Sequence, residues 1–149
     1  MQDIHNLKRT IKGILDTQKL SVLSTQGEGR PYGSLVAFAA TDDLKTLVFA
    51  TTRATRKYSN LITHKDVAIV IDTRTNQTAD FSDASAITAI GEATEVTAHE
   101  RQQFLKIYIE KHPYLKEFVD SPTCALIKVR VKNYIMVSRF QNVQELHIS

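Results

Sequence analysis

The chain has 149 residues, 42% of them hydrophobic, 23% charged and 7% aromatic, the size and balance of one globular domain with its own core. Nineteen Lys and Arg against sixteen Asp and Glu leave a formal charge of +3, too small a surplus to mark a nucleic-acid surface. A lone Cys124 excludes an internal disulfide framework and a thiolate-rich metal centre. The longest apolar run, Leu35 to Ala40, is far short of the ~20 residues that span a bilayer. The opening segment is amphipathic and carries Asp3 and Asp16, unlike a signal peptide, so the expectation is a cytoplasmic protein.

Ile4, Leu7, Ile11, Ile14 and Leu15 fall on one stripe of a helix from about residue 3 to 19. Leu20 to Thr25 and Pro31 to Ala40 read as two strands of a hairpin around a loop of several residues, Gln26 to Arg30. Asp42-Asp43 marks a turn, Thr46 to Thr52 a third strand, and Tyr58, Leu61 and Ile62 a short helix ending near His64-Lys65-Asp66. Val67 to Ile71 is a buried strand. The polar stretch Asp72 to Asp83 has no period that buries a face and reads as a long loop. Ser85 to Val96 is a strand with Gly91 as a bulge or bend, and Thr97-Ala98-His99-Glu100 has the form of a capping box. The helix it opens carries Phe104, Leu105, Ile107 and Tyr108 and stops at His112-Pro113, with a further short helix through Leu115, Phe118 and Val119. Ile127, Val129 and Val131 alternate with Lys128, Arg130 and Lys132 in a strand, and Tyr134 to Phe140 and Val143 to Ile148 supply two more.

The sum is a mainly β chain with flanking helices, whose six to eight short antiparallel strands point to a closed or half-closed barrel, since closure removes exposed edges. One domain covers 1–149, with a leading helix and a barrel from 20 to 148.

Chemistry concentrates in Thr51-Thr52-Arg53-Ala54-Thr55-Arg56-Lys57, three hydroxyls and three cations where a strand gives way to a helix. Helix N-terminal N–H groups favour an anion, a Thr hydroxyl adds a hydrogen bond, and Arg and Lys add charge, which is how a phosphate site is built. The same residues also describe an ordinary Thr N-cap with a solvated basic loop. No two of the five histidines stand at i, i+4, no Ser lies in a G-x-S-x-G elbow, and neither a dinucleotide fingerprint nor a Walker loop is present. Cys124, among apolar residues at a strand start, reads as an inert buried thiol. The basic alternation Lys128, Arg130, Lys132 reads as a wet strand face, with few aromatics for bases to stack on.

Pro31-Tyr32-Gly33-Ser34-Leu35-Val36-Ala37-Phe38, then Val48-Phe49-Ala50-Thr51-Thr52, then Thr55-Arg56-Lys57 resemble the pyridoxamine-phosphate-oxidase-like family of FMN-binding split barrels. The resemblance runs from the leading helix to the closing strands. It implies a split β-barrel homodimer with FMN at the subunit interface, its phosphate at Thr55, Arg56 and Lys57. By the same carry-over Ser34, Leu35 and Val36 on the second strand and Phe49, Ala50, Thr51 and Thr52 on the third line the ring and ribityl chain. Ser138 and Arg139 would serve the partner's flavin. The oxidases proper have an arginine and a lysine where this chain has Ser34 and Ala39, a tryptophan where it has Val137, and a different C-terminal substrate region. The implied function is therefore an FMN-dependent oxidoreductase for some other small substrate. The alternative is a non-enzymatic flavin or haem binder acting as electron carrier or sensor. A third reading is a barrel without cofactor. No metal, nucleic acid or membrane enters the expected set of partners.

Overall fold

Alternation and capping are realised from the first residues of the computed structural model, which describes residues 3–139 and 141–149. The Asp3 carboxylate accepts the His5 N–H at 3.0 Å and caps α1 (Ile4–Thr17), whose buried stripe is Leu7, Ile11 and Leu15. Then come β1 (Leu20–Gly27), β2 (Arg30–Ala40), β3 (Thr46–Thr52), α2 (Arg56–Thr63), β4 (Asp66–Asp72), α3 (Asp80–Asp83) and β5 (Ser85–Glu95). The chain closes with α4 (Arg101–Lys111), a 3₁₀ turn (Pro113–Leu115), α5 (Lys116–Asp120), β6 (Cys124–Ser138) and β7 (Asn142–His147).

The strands form one antiparallel sheet in the order β3-β2-β1-β4-β5-β6-β7, and a further β3–β6 pairing closes six of them into a barrel. β6 makes this possible by its length. Cys124 to Arg130 pair with β3 on one edge, and Asn133 to Ser138 pair with β7 on that edge farther along, while β5 follows the other edge. Leu23, Phe38, Leu47, Phe49, Ile69, Ile87, Ile127 and Tyr134 fill the interior, which α1 and Leu61 of α2 cover. A second apolar layer lies outside the barrel, where Phe104, Tyr108 and Val119 pack over Ala39, Val48, Ala50 and Leu126. β3 is therefore buried on both faces.

Four local expectations change. The first hairpin turns on two residues, Glu28 and Gly29, both at positive φ (54° and 73°), because pairing continues out to Gly27 opposite Arg30. The polar stretch holds one helical turn, α3, organised by the Asp80 carboxylate, which accepts the Thr75, Asn76 and Gln77 N–H groups and is held below the usual Asp range by them. The strands read separately as Ile127 to Lys132 and Tyr134 to Phe140 are one, since a register shift opposite Ile90 and Gly91 absorbs the extra residue as a bulge; Phe140 lies outside the described residues. The capping box is half formed, with the Glu100 carboxylate accepting the Thr97 N–H at 3.1 Å, and the helix itself begins at Arg101.

Gly91 has a steric reason to be glycine. A Cβ there would run into the backbone carbonyl of Arg130, which cannot move without opening the barrel. Gly91→Ala should cost about 3 kcal/mol in urea unfolding; a neutral substitution would show that β5 and β6 give way at the bulge.

Lys111 ties α4 to α1, donating to the Leu15 carbonyl at 2.7 Å with its ammonium 3.9 Å from the centroid of the Phe38 ring. Burial pulls its pKa from the ordinary 10.5 to about 8. Between those two values the unfolded chain binds more protons than the native one, so this group makes stability rise with pH across that window. Thermal midpoints of the wild type should gain on those of Lys111→Met from pH 8 to 10.5, and parallel curves would contradict the assignment.

Candidate functional site

β2 and β3 share only three rungs, Phe38–Phe49, Ala39–Val48 and Ala40–Leu47. Beyond them β2 stays with β1 as far as the hairpin tip, and β3 stays with β6 as far as Thr52–Cys124. Each strand follows its other neighbour, and the barrel wall forks. The Thr41 N–H reaches across to the Thr46 carbonyl at 3.0 Å, whereas the Phe38 N–H turns the other way to Lys19. Alternation then aims the backbone groups of Leu35 and Ala37 into the fork. A cleft of about 370 Å³ lies there, lined by Leu35, Val36 and Ala37 of β2, Ala50, Thr51 and Thr52 of β3, and Thr55 and Lys57 at the start of α2.

The polar end of the cleft is the N-terminus of α2. Thr55, extended at φ −109°, accepts the Tyr58 N–H at 3.3 Å and donates to the Thr52 carbonyl at 2.9 Å. Its hydroxyl is also 2.9 Å from that of Thr51. Arg53 turns away from the cleft. Its guanidinium donates to the Pro122 carbonyl at 3.0 Å and to Glu95 at 2.6 Å, and the other Glu95 oxygen accepts the Tyr58 hydroxyl at 2.6 Å. Partial burial pushes the Glu95 carboxyl up, but the Arg53 and Tyr58 hydrogen bonds outweigh it and hold the group below its usual range. Lys57 faces the cleft, and among the described residues no carboxylate lies within 4 Å of it. Arg56 lies 5.3 Å over the ring of Tyr32 and lines a second cleft against another face of the helix.

Of the residues expected at a cofactor site, Leu35, Val36, Ala50, Thr51, Thr52, Thr55 and Lys57 thus share one cleft. Phe49 does not line it, because its side chain is fully buried in the barrel interior. Ser34 shares the interior side of β2 with Val36 and Phe38, being paired with the core residue Leu23. Its Oγ is the one buried side-chain oxygen without a hydrogen-bond partner among the described residues. Arg56 faces the second cleft. Ser138 and Arg139 lie at the far end of β6 from Cys124, the residue that pairs with Thr52, so within one chain they are remote from the fork. Ser138 pairs with Ser85 and Asn142, and Arg139 turns at φ 50°.

Sequence reasoning missed the far wall, Tyr108, Leu115 and Phe118. Tyr108 donates its hydroxyl to the Ala37 carbonyl at 3.3 Å, at the point where the strands part. Burial, with Cys124 nearby, pushes this phenol up to about 12, so it stays neutral. Helical periodicity marked these three as apolar, but no local signal says which strand gap a helix covers.

Beside the fork, one outer row of the sheet runs Leu35, Val22, Val70, Thr88, Ile135 across five strands. No helix covers it. Leu35 is 64% exposed, and Leu20, Ile90 and Val143 add exposed apolar surface around the row.

A family model described as pyridoxamine 5′-phosphate oxidase matches residues 7–138. No curated protein matches the sequence. Solved structures do. A heme binding protein from Mycobacterium smegmatis superposes with a TM-score of 0.84 at 16% identity, over 94% of this chain and 57% of that one, so this chain spans little more than half its length. General Stress Protein 26 of Bacillus anthracis gives 0.72 at 21% identity over 96% and 99%, and HutZ of Vibrio cholerae, a heme storage protein, 0.73 at 17% over 93% of each. At such identities the likeness establishes the fold. Among the described residues no helix is long and apolar enough to cross a membrane, and no cluster of His, Cys, Asp or Glu could hold a metal ion.

The Thr55 cap can be weighed directly. Thr55→Ala should lose about 1 kcal/mol of stability and Thr55→Ser much less, by chemical denaturation; equal stability of all three forms would mean that the cap does not support α2.

Proposed function

The chain belongs to the pyridoxamine 5′-phosphate oxidase family, and from that premise we propose that it is a homodimeric flavoprotein, seating FMN in the fork between β2 and β3 and acting as an FMN-dependent oxidoreductase on a small substrate. The fork carries the reading. It sets hydroxyls, a helix N-terminus and an unpaired lysine at one end, and Leu35, Leu115 and Phe118 at the other. FMN has the matching polarity, with a phosphate at one end and a flat, largely apolar ring at the other.

The residues present fit the group. Thr55 and the first N–H groups of α2 suit a phosphate, and Lys57 adds a point charge that no carboxylate already satisfies. The Ser34 hydroxyl, buried on the interior side of β2, does not line the cleft, so the phosphate seat rests on the start of α2. Leu35 and Ala37 offer backbone groups to the polar edge of a ring. A bound flavin would supply the electron transfer, and the chain supplies seat, orientation and exclusion of water. Tyr108 stays protonated and bonded to Ala37, which suits a wall of the cleft rather than a base.

The homodimer is supported by the apolar outer row, which begins at Leu35 on the rim of the cleft. A second copy laid on that row would close the cleft and bring its own Ser138 and Arg139 to the flavin. A non-catalytic electron carrier would use the same seat, and turnover with a nicotinamide or another donor separates the two. Haem is the rival ligand, named for two of the structural neighbours. A haem needs an axial ligand, and the histidines here do not converge: His112 is buried and held by the Phe38 carbonyl at 2.7 Å, and the other four are exposed on separate elements.

The purified protein mixed with FMN and washed should retain a two-band flavin spectrum, whereas a sharp Soret band with haem and none with FMN would overturn the reading. Lys57→Ala should weaken FMN binding about tenfold, one charge-assisted contact being lost, and leave the dimer folded. Unchanged affinity would remove the phosphate from α2.

A further inference from the structure

The second cleft is the larger, about 790 Å³, between the β1–β2 hairpin tip and one face of α2, within the size range of ligand pockets. Arg30 and Arg56 line it with Tyr32, His64 and a single carboxylate, Glu28. Among the described residues neither arginine has a carboxylate within 4 Å. The Arg56 guanidinium already rests on the Tyr32 ring, 5.3 Å from its centroid, so less side-chain freedom is left to lose when an anion arrives. The walls are fixed as well. Asn60 of α2 donates to the Thr25 hydroxyl at 3.1 Å, and a Cβ on Gly27 would collide with the Asn60 side chain, so helix and hairpin are in direct contact at Asn60, beside the cleft.

Consecutive residues at the start of α2 face the two clefts, Lys57 the fork and Arg56 the larger cleft. A phosphate at the start of α2 therefore sits at the boundary. A mononucleotide ends there, but a diphosphate continues over the helix start toward two waiting guanidinium groups. Resting on the flavin reading above, we propose that this cleft receives the adenylate half of a flavin dinucleotide. Arg30 and Arg56 bind its second phosphate, the half-exposed Tyr32 ring offers a surface for the adenine, and Glu28 accepts from the ribose hydroxyls or the adenine amine.

Dissociation constants for FMN and FAD, measured on the full chain by flavin fluorescence, test this. FAD should bind about 100-fold more tightly than FMN, the worth of two further charge-assisted contacts. Arg30→Ala, at an exposed hairpin position outside the fork, should cut that advantage about tenfold and leave FMN affinity within about twofold. Equal or weaker binding of FAD, or a variant that loses both flavins alike, overturns the proposal while the flavin seat itself stands. If neither flavin binds, the flavin reading has failed and ADP alone becomes the probe. Saturable ADP binding lost in Arg30→Ala keeps the cleft as an adenylate site, and its absence ends the proposal.

Discussion

The short ladder between β2 and β3 is the constraint from which the site follows. A six-stranded barrel of this size closes only if each strand is shared between two neighbours, and β6, the longest strand, cannot satisfy β3 and β7 over the same residues. β3 is drawn along β6 toward Thr52, and β2 along β1 toward the hairpin tip, so they part after three rungs. An open sheet edge is usually a liability. Here α4 and α5 roof it, with Phe104 and Val119 in the outer apolar layer and the Tyr108 hydroxyl on the Ala37 carbonyl at the crotch. What remains open is a slot with backbone polar groups on one wall and apolar side chains on the other, a surface that suits a flat heteroaromatic ring.

Three cations within five residues, Arg53 to Lys57, divide their work. Arg53 is committed to Glu95 and the Pro122 carbonyl, and Glu95 also holds Tyr58, so the strand-to-helix turn is clamped on both sides of its Thr55 cap. The clamp hardly contributes charge, since the Arg53 guanidinium faces a carboxylate. It fixes where α2 starts, and with it the direction in which the helix N-terminal N–H groups point. Among the described residues Lys57 and Arg56 have no such partner, and they face different clefts. A basic run that looks uniform in sequence thus separates into one structural residue and two free charges, and geometry rather than composition makes the distinction.

Much of this was legible in the sequence, for identifiable reasons. The continuous apolar run of Val67 to Ile71 and the 3.6-residue stripe of α1 are local properties and gave the elements nearly to the residue. The barrel followed from strand count and edge avoidance, and the resemblance at Thr55-Arg56-Lys57 put the anion end where the structure has a capped helix start. The misreadings have a common cause. The two-residue hairpin turn, the continuous β6 and the turn around Asp80 are each decided by which partner a segment meets, and single residues such as Glu28 or Asn133 do not announce it. The same holds within the site. Phe49 lies next to Ala50 in sequence but faces the opposite side of β3, and Tyr108, some seventy residues from β2 in the chain, reaches the fork only because α4 folds back across it.

The outer row from Leu35 to Ile135 joins these strands of argument. This largely apolar row, with Thr88 its one polar member, crosses five strands, and among the described residues no helix covers it as α4 and α5 cover the fork. The cost of leaving it in water scales with its area, and a second copy of the chain presents a surface of the same kind. Because Leu35 belongs to both the row and the cleft, covering the row also closes the cleft. Residues at the far end of β6, which no single chain can bring to its own fork, are then the natural contribution of the second copy. Assembly and ligand binding would in that arrangement be one event, with the apolar face providing the association energy and the fork providing the selectivity.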